Sequence, residues 1–208
     1  VINSQDSTMN ETLDKQDAPV FSYTLASADL RYIEIGEREI YLRREPGGSL
    51  VFRGELSGRG SETYINLSEI LLEYAMSCEG CSRAELASEM LLHFGEHLGK
   101  IYADTAAQES RALSQAEMIS EAMICILNSM EAKFTEELQA NSINYSLDCC
   151  PLSECAQDTR LNRSVEMSYI SLLALINTIL ERFAADWTLV SPSSVELNIP
   201  MHQILIMR

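Results

Sequence analysis

Five of the six cysteines in this 208-residue chain fall into two groups whose spacing could support metal or redox chemistry. Cys78 and Cys81 form a Cys-x-x-Cys pair, and Cys149, Cys150 and Cys155 follow much later in the chain. Two residues between thiolates let both sulfurs face one ion, as in zinc and iron–sulfur sites. The pattern therefore allows a zinc site made of Cys78, Cys81, Cys149 and Cys155, provided that the fold joins the two groups. The alternatives are a redox or disulfide pair, and reduced cysteines packed as small apolar side chains.

A second pattern that could hold a metal lies at His93 and His97, which are four residues apart on a predicted helix with Glu96 beside them. Their order is not His-Glu-x-x-His, so Glu96 does not take the place of that motif's base. Two ordinary histidines on a packing helix explain the pattern without a metal. The sequence contains no nucleophile elbow, Walker loop or dinucleotide fingerprint. Catalysis is therefore not predicted, and a thiol- or metal-dependent enzyme stays a third alternative.

The strand and the helix that flank the second cysteine group are predicted from their periodicity. Residues 143–149 alternate apolar and polar side chains, which places every second residue from Ile143 to Cys149 on one face of a half-buried strand. Pro151 ends the strand, because proline cannot continue a β ladder. Segment 164–184 is apolar almost all round, so we expect it to be the most buried helix, at the centre of the core.

The chain as a whole divides into three parts by composition and periodicity. Residues 1–18 are polar and acidic and predict a disordered tail. Residues 19–60 predict an antiparallel β meander of four short strands with arginines on its outer face. Residues 61–208 predict a helical block followed by a strand–long helix–strand unit. The predicted fold class is therefore α+β.

Three helices of the helical block are predicted from capping patterns, in which a polar cap precedes an acidic residue by three positions. The pairs with this spacing are Asn66 and Glu69, Ser82 and Glu85, and Ser114 and Glu117. The second helix is expected to run to about Ala103, and the apolar stripe of the third extends to Leu138. In the second helix, Gly95 and Gly99 lie four residues apart and would let another helix approach closely.

The segment Tyr145-x-Leu147-x-Cys149-Cys150-Pro151-Leu152, with the order of elements around it, resembles the vinyl-reductase-type domains. This family is named for the four-vinyl reductase of pigment synthesis and includes hydrocarbon-binding sensor domains. The resemblance covers residues 61–208 and implies a fold related to the small subunits of vesicle-tethering complexes, a buried small-molecule pocket and often a dimer. Zinc-bearing sensors of this family have cysteines near the carboxy terminus. This chain has none after Cys155, which argues against a metal site of that type.

The leading functional hypothesis is a non-enzymatic small-molecule-binding or accessory module with an apolar pocket. Methionine and aromatic side chains adapt well to irregular apolar ligands, although the same side chains can simply fill a core. The candidate ligand-binding residues are Met123, Met130, Phe134, Tyr145, Cys149, Cys150, Cys155 and Tyr169. The resemblance implies an apolar or tetrapyrrole ligand, and with it a role in pigment-protein assembly or sensing. The competing hypothesis is a ligand-free scaffolding or dimerisation subunit.

The formal net charge of -16 narrows the range of partners. Such a surface repels phosphate backbones and anionic lipid headgroups, so a nucleic acid is not expected as a partner. No apolar run is long enough to predict a transmembrane helix, and the amino terminus does not resemble a signal peptide. We therefore expect a cytoplasmic protein, a homodimer or a subunit of a complex, that binds an apolar small molecule or another protein.

Overall fold

The computed structural model describes residues 22–27, 30–35, 38–56, 64–81, 83–108, 112–155, 162–190 and 203–208, and the predicted tail at 1–18 lies outside these ranges. The strands are β1 (Ser22–Ser27), β2 (Leu30–Ile35), β3 (Arg38–Arg44), β4 (Leu50–Leu56), β5 (Tyr64–Ile65), β6 (Phe134–Gln139), β7 (Ser142–Leu147), β8 (Thr188–Val190) and β9 (Gln203–Met207). The helices are α1 (Leu67–Glu79), α2 (Ala84–Ala107), α3 (Gln115–Ser129), α4 (Pro151–Cys155) and α5 (Asn162–Phe183).

Two antiparallel sheets flank the helices, which confirms the predicted α+β class. The first sheet has the order β1-β2-β3-β4-β5, so the amino-terminal meander is confirmed and gains a short fifth strand. The second sheet has the order β6-β7-β9-β8. The closing strand β9 therefore lies between β7 and β8, next to the strand that leads into the second cysteine group.

One apolar core runs through both parts of the chain. Ile40, Leu42 and Phe52 of the meander belong to the same cluster of buried side chains as the helices and the second sheet. Strand β4 packs against α1 and α3, and the Phe52 amide donates a hydrogen bond of 2.7 Å to the Ser129 hydroxyl at the end of α3. The boundary drawn at residue 60 therefore separates two segments of sequence but does not divide the core.

Helices α1 and α3 begin where the capping patterns predict. Asn66 accepts a hydrogen bond from the Glu69 amide, and the Glu69 carboxylate accepts one from the Asn66 amide. Ser114 and Glu117 form the same reciprocal pair at the start of α3. Helix α2 differs, because its N-cap is Arg83, which makes no side-chain cap. It is also longer than expected and ends at Ala107.

The third predicted helix is shorter than its apolar stripe suggested. Helix α3 ends at Ser129, and the segment up to Leu138 forms most of β6, which pairs with β7 along its full length. The helix cannot continue through Glu131, whose φ of 56° lies in the left-handed region. A spacing of four residues, such as Phe134 to Leu138, fits a helical stripe and one face of a strand equally well, so periodicity did not separate them.

Helix α5 lies against α1, α2, α3, α4 and β8, in the central position that its sequence predicts. Its two closest approaches are to the glycines of α2. A Cβ atom added to Gly95 would lie 2.1 Å from the Ser171 carbonyl oxygen, and one added to Gly99 would lie 2.7 Å from Cβ of Thr178. The predicted close approach of a second helix at these glycines is confirmed.

The expectation that 164–184 is the most buried helix is wrong by share of residues. Eleven of the 21 side chains at 164–184 are buried, against eight of 13 in α1. The reason is that α5 is long and one of its sides, which includes Asn177 and Glu181, faces solvent. By length and composition, the segment Arg163–Phe183 is apolar enough to cross a membrane, but 56% of its most apolar window is buried inside the fold. Core helices pass the same test, so no clear integral membrane segment follows for the described residues.

One arginine of the meander contradicts the expectation that its arginines lie on a solvated outer face. Arg53 in β4 is only 7% exposed. Its guanidinium lies 3.6 Å from Glu45 and 3.9 Å from Glu131, and 4.8 Å above the ring of Tyr64. A buried charge requires opposite charges nearby. Here one of them comes from the turn after α3, which is distant in sequence.

Candidate functional site

A narrow apolar cleft lies where α3, the turn from β7 to α4, and α5 meet. Pro151 begins α4, a position that suits proline because its φ is fixed at a helical value and no amide is left unpaired. The chain therefore turns sharply after Cys150 and carries the residues around it into the space beside α5. The cleft is lined by Ile126, Leu127, Met130, Leu147, Cys150, Pro151, Leu152, Tyr169, Leu172 and Ile204. Its volume is about 10 Å³, roughly the space that one water molecule needs.

Two of the lining side chains are polar and contact each other. The Cys150 Sγ lies 2.7 Å from the hydroxyl of Tyr169 on α5, and Cys150 itself is buried. None of the residues that line the cleft carries a charge. The accessible surface of the cleft is apolar, and the lining has no cation to bind a carboxylate or a phosphate.

Three of the eight predicted ligand-binding residues line the cleft, namely Met130, Cys150 and Tyr169. Cys149, immediately before the buried thiol, is only partly buried and is not among the lining residues. The side chain of Cys155 lies outside the described part of the structure.

The other three predicted residues lie elsewhere in the core or beside it. Met123 and Tyr145 are buried, and Phe134 packs edge-on against Tyr145 with ring centroids 6.0 Å apart. The Tyr145 hydroxyl donates a hydrogen bond of 2.7 Å to Glu136, which also accepts one of 2.5 Å from Ser120. Burial, together with this bond, raises the pKa of Tyr145. In the described structure, Tyr145 is thus a hydrogen-bonded core residue.

The remaining lining residues are aliphatic side chains and Pro151, none of which was predicted to bind a ligand. Leu147 and Leu152 are the nearest in sequence to the cysteine turn, and their proximity to Cys150 was the signal that could have found them. Ile204 comes from β9, and it reaches the cleft only because β9 pairs with β7, with Ile204 opposite Tyr145. No local pattern predicts that pairing.

The Cys-x-x-Cys pair lies at the carboxyl end of α1, away from the cleft lining. Cys78 is buried in the last turn of this helix, and Cys81 is partly buried in the link to α2. Burial is the main cause that raises the pKa of the Cys78 thiol. A helix carboxyl end carries partial negative charge, which also disfavours a thiolate, whereas reactive Cys-x-x-Cys pairs have lowered thiol pKa values. The position is therefore unfavourable for redox catalysis by Cys78.

The four-cysteine zinc site stays a prediction. Helix α4 packs against α1, which places the two cysteine groups on neighbouring elements. Among the residues with a described position, however, no three His, Cys, Asp or Glu side chains lie close enough together to hold a metal ion. Cys78, Cys81 and Cys149 therefore do not form three ligands of one site there, and the fourth proposed ligand, Cys155, is not described.

The two histidines of α2 lie on the surface of the helix. The His93 Nδ1 is 3.3 Å from the Glu96 carboxylate, and Lys100 lies 3.8 Å from the same carboxylate. The His97 Nδ1 lies 3.3 Å from the His93 carbonyl oxygen. Such pairs along the exposed face of a helix stabilise the helix slightly, and no metal is needed to explain them.

Comparisons with models of known protein families, with curated proteins and with solved structures found no match. The resemblance of residues 61–208 to the vinyl-reductase-type domains therefore stays a prediction.

Proposed function

We propose that this protein is a non-enzymatic binding or accessory module that holds a neutral, apolar small molecule in the cleft. The observation that carries the proposal is the lining, which is apolar except for the hydrogen-bonded pair of Cys150 and Tyr169. An apolar concave surface with a few placed polar groups is the usual form of a small-molecule site. In this proposal the aliphatic wall supplies affinity, and movement of Tyr169 lets the thiol–hydroxyl pair orient one polar atom of the ligand.

The dimensions of the cleft favour a small ligand over a tetrapyrrole. A volume of about 10 Å³ is far below the roughly 300–1,000 Å³ of typical ligand pockets, so binding requires side chains to move. Met130 follows α3 directly and has a flexible, unbranched side chain, and Tyr169 is partly exposed. Movement of these two side chains makes room for a single ring or a short chain. A tetrapyrrole with free carboxylates would, in addition, find no cation among the lining residues.

The proposal includes a cytoplasmic location and association with a second protein chain. Cys78, Cys81 and Cys125 are free thiols, which suits a reducing compartment. The acidic surface disfavours nucleic acid and leaves a homodimer or a complex with another protein as the proposed assembly.

A specific surface favours the second candidate, a ligand-free scaffolding subunit. Val190 and Met207, at 41% and 42% exposure, lie on the outer face of the second sheet. Leu205 is directly opposite Val190 on the neighbouring strand, and the alternating residues Ile204 and Ile206 point into the core. This apolar outer face could be covered by a protein partner. In that candidate the cleft is only a small packing void.

The deciding experiment is native mass spectrometry of the protein purified from its own host. It reports a retained ligand and the oligomeric state in one measurement. Binding in the cleft predicts an additional mass that disappears in a Leu172→Phe variant, because Leu172 lines the cleft and the larger ring fills it. The matched control is Leu86→Phe, which makes the same change at a position that is 43% exposed and should leave the additional mass in place.

A second measurement keeps the test independent of the natural ligand. Benzene, a neutral apolar probe, should raise the melting temperature of the wild type and of Leu86→Phe but not that of Leu172→Phe, since a ligand that binds only the folded state stabilises it. A chain without additional mass and without a benzene-dependent shift would contradict ligand binding in the cleft. A dimer with those properties would support the scaffolding candidate instead.

A further inference from the structure

Three sulfur-bearing residues lie at the junction of α1 and α2. Cys78 lies in the last turn of α1, Cys81 follows in the link, and Met90 lies in the second turn of α2. The Cys81 Sγ is 3.8 Å from the Met90 Sδ. The Cys81 amide donates a hydrogen bond of 3.0 Å to the Cys78 carbonyl oxygen, so the two cysteines lie in one tight turn. The thioether of Met90, nine residues after Cys81, therefore lies beside the Cys-x-x-Cys pair.

The sulfur–sulfur distance matches that of two ligands on one ion. With metal–sulfur bonds of about 2.3 Å, a separation of 3.8 Å corresponds to a sulfur–metal–sulfur angle of roughly 110°. That angle lies between trigonal and tetrahedral coordination, so an ion could be bound by these two sulfurs with little movement. Cys78 and Met90 are buried, whereas Cys81 is partly exposed. The ion would therefore enter from the side of Cys81, which lies outside both helices and is free of their geometric restraints.

From this geometry we infer that Cys78, Cys81 and Met90 form a binding site for a soft monovalent metal ion of the copper(I) class. Thiolate and thioether ligands together select copper(I), whereas zinc is bound by cysteine, histidine and carboxylate. No third ligand of the zinc type completes a site among the described side chains. Binding releases the two thiol protons and leaves the copper as copper(I), so no oxidant or reductant takes part. The site is separate from the cleft and does not depend on the proposed function.

The test is an anaerobic titration of the reduced, full-length protein with copper(I) against bicinchoninate, a competing chromophoric ligand. We expect one tightly held copper per chain, which Cys81→Ser should abolish. Met90→Leu keeps the volume of the side chain and removes only the thioether, and it should weaken copper binding at least tenfold. Met76→Leu is the matched control, because Met76 is 44% exposed and not part of the cluster, and it should bind as the wild type does. Cys149→Ser, the control for a thiol outside the cluster, should also keep the tightly held copper.

X-ray absorption of the copper-loaded wild type tests the same site without any substitution. Three sulfur neighbours per copper support the inference, and a shell of two sulfurs, or one that contains nitrogen or oxygen, overturns it. Unchanged affinity in Met90→Leu would also overturn it, as would loss of the tight copper in Cys149→Ser. Urea unfolding of each variant verifies that its fold is intact.

Discussion

The contact between α2 and α5 at Gly95 allows the most quantitative test of the fold. In Gly95→Ala the new Cβ atom would lie 2.1 Å from the Ser171 carbonyl oxygen and 2.8 Å from the Cβ of Ala174. Both atoms are fixed to a helix backbone, so neither can turn away as the end of a flexible side chain would. Restoring ordinary contact requires the two helices to separate by about 1.3 Å locally.

The expected decrease in the free energy of unfolding of Gly95→Ala follows from three contributions. Overpacking of a core typically lowers the free energy of unfolding by about 1–3 kcal/mol. Separation of the helices also weakens the hydrogen bond of 2.7 Å from the Ser171 hydroxyl to the Leu91 carbonyl, a further loss of about 0.5–1.5 kcal/mol. The higher helix propensity of alanine offsets about 1 kcal/mol. We therefore expect a net decrease of about 1–3 kcal/mol, and in a domain of this size 2 kcal/mol corresponds to a fall in Tm of roughly 4–8 °C.

The measurement is urea and thermal unfolding followed by far-ultraviolet circular dichroism, with Gly80→Ala as the control. Gly80 has helical φ and ψ of -73° and -9°, and the nearest atom to an added Cβ is 3.9 Å away. Alanine there should leave the free energy of unfolding unchanged or raise it by about 0.4–1 kcal/mol, because it restricts the unfolded chain. If Gly95→Ala is as stable as the wild type, α2 and α5 do not make the close contact described, and the reasoning is wrong.

Three further predictions concern buried polar groups. Ser129→Ala should lower the free energy of unfolding by about 1–3 kcal/mol, measured by urea unfolding, because it leaves the buried Phe52 amide without its acceptor; an unchanged midpoint would contradict the docking of β4 on α3. Glu136→Ala should destabilise the protein by a similar amount, since it removes the acceptor of the buried Tyr145 hydroxyl, whereas Glu136→Gln, which keeps an acceptor, should restore most of the loss. Burial raises the pKa of Cys125 to about 12, so its thiol should be the last of the described cysteines to react with iodoacetamide. Because the thiol of the unfolded chain ionises at lower pH, the stability that this shift provides is complete below pH 9 and is lost between about pH 9 and 12. The free energy of unfolding should fall by at most about 1.4 kcal/mol per pH unit in that range. Cys125→Ala should remove this dependence on pH.

The parts of the fold that depend on neighbouring residues were predictable from the sequence. The caps at Asn66 and Ser114 form because a polar side chain and a glutamate three positions later can satisfy each other's amides. The face of β7 that carries Ile143 and Tyr145 is buried because side chains alternate along a strand. The spacing of Gly95 and Gly99 likewise predicted a close helix contact, since four residues correspond to about one helical turn.

The candidate cleft was predictable only in part. Cys150 was recognisable because the cysteine turn joins an alternating strand to an apolar helix, and Tyr169 and Met130 were among the aromatic and methionine residues near it. Leu172 and Ile204 complete the wall only after α5 and β9 have packed beside β7. Strand pairing is set by contacts that are distant in sequence, so no local period specifies which side chains meet there.

Local sequence patterns were enough to predict the α+β class, the meander, two of the helix starts and the central position of α5, because each depends on propensity, capping or periodicity over one element. Tertiary packing sets where α3 ends, since the spacing from Phe134 to Leu138 is compatible with a helix and a strand until β7 is present to pair with it. The same packing buries Arg53 beside Glu131 and brings Met90 into contact with Cys81. These contacts join residues from different elements, and their geometry is set by the packing of the whole core and not by the residues adjacent in the chain.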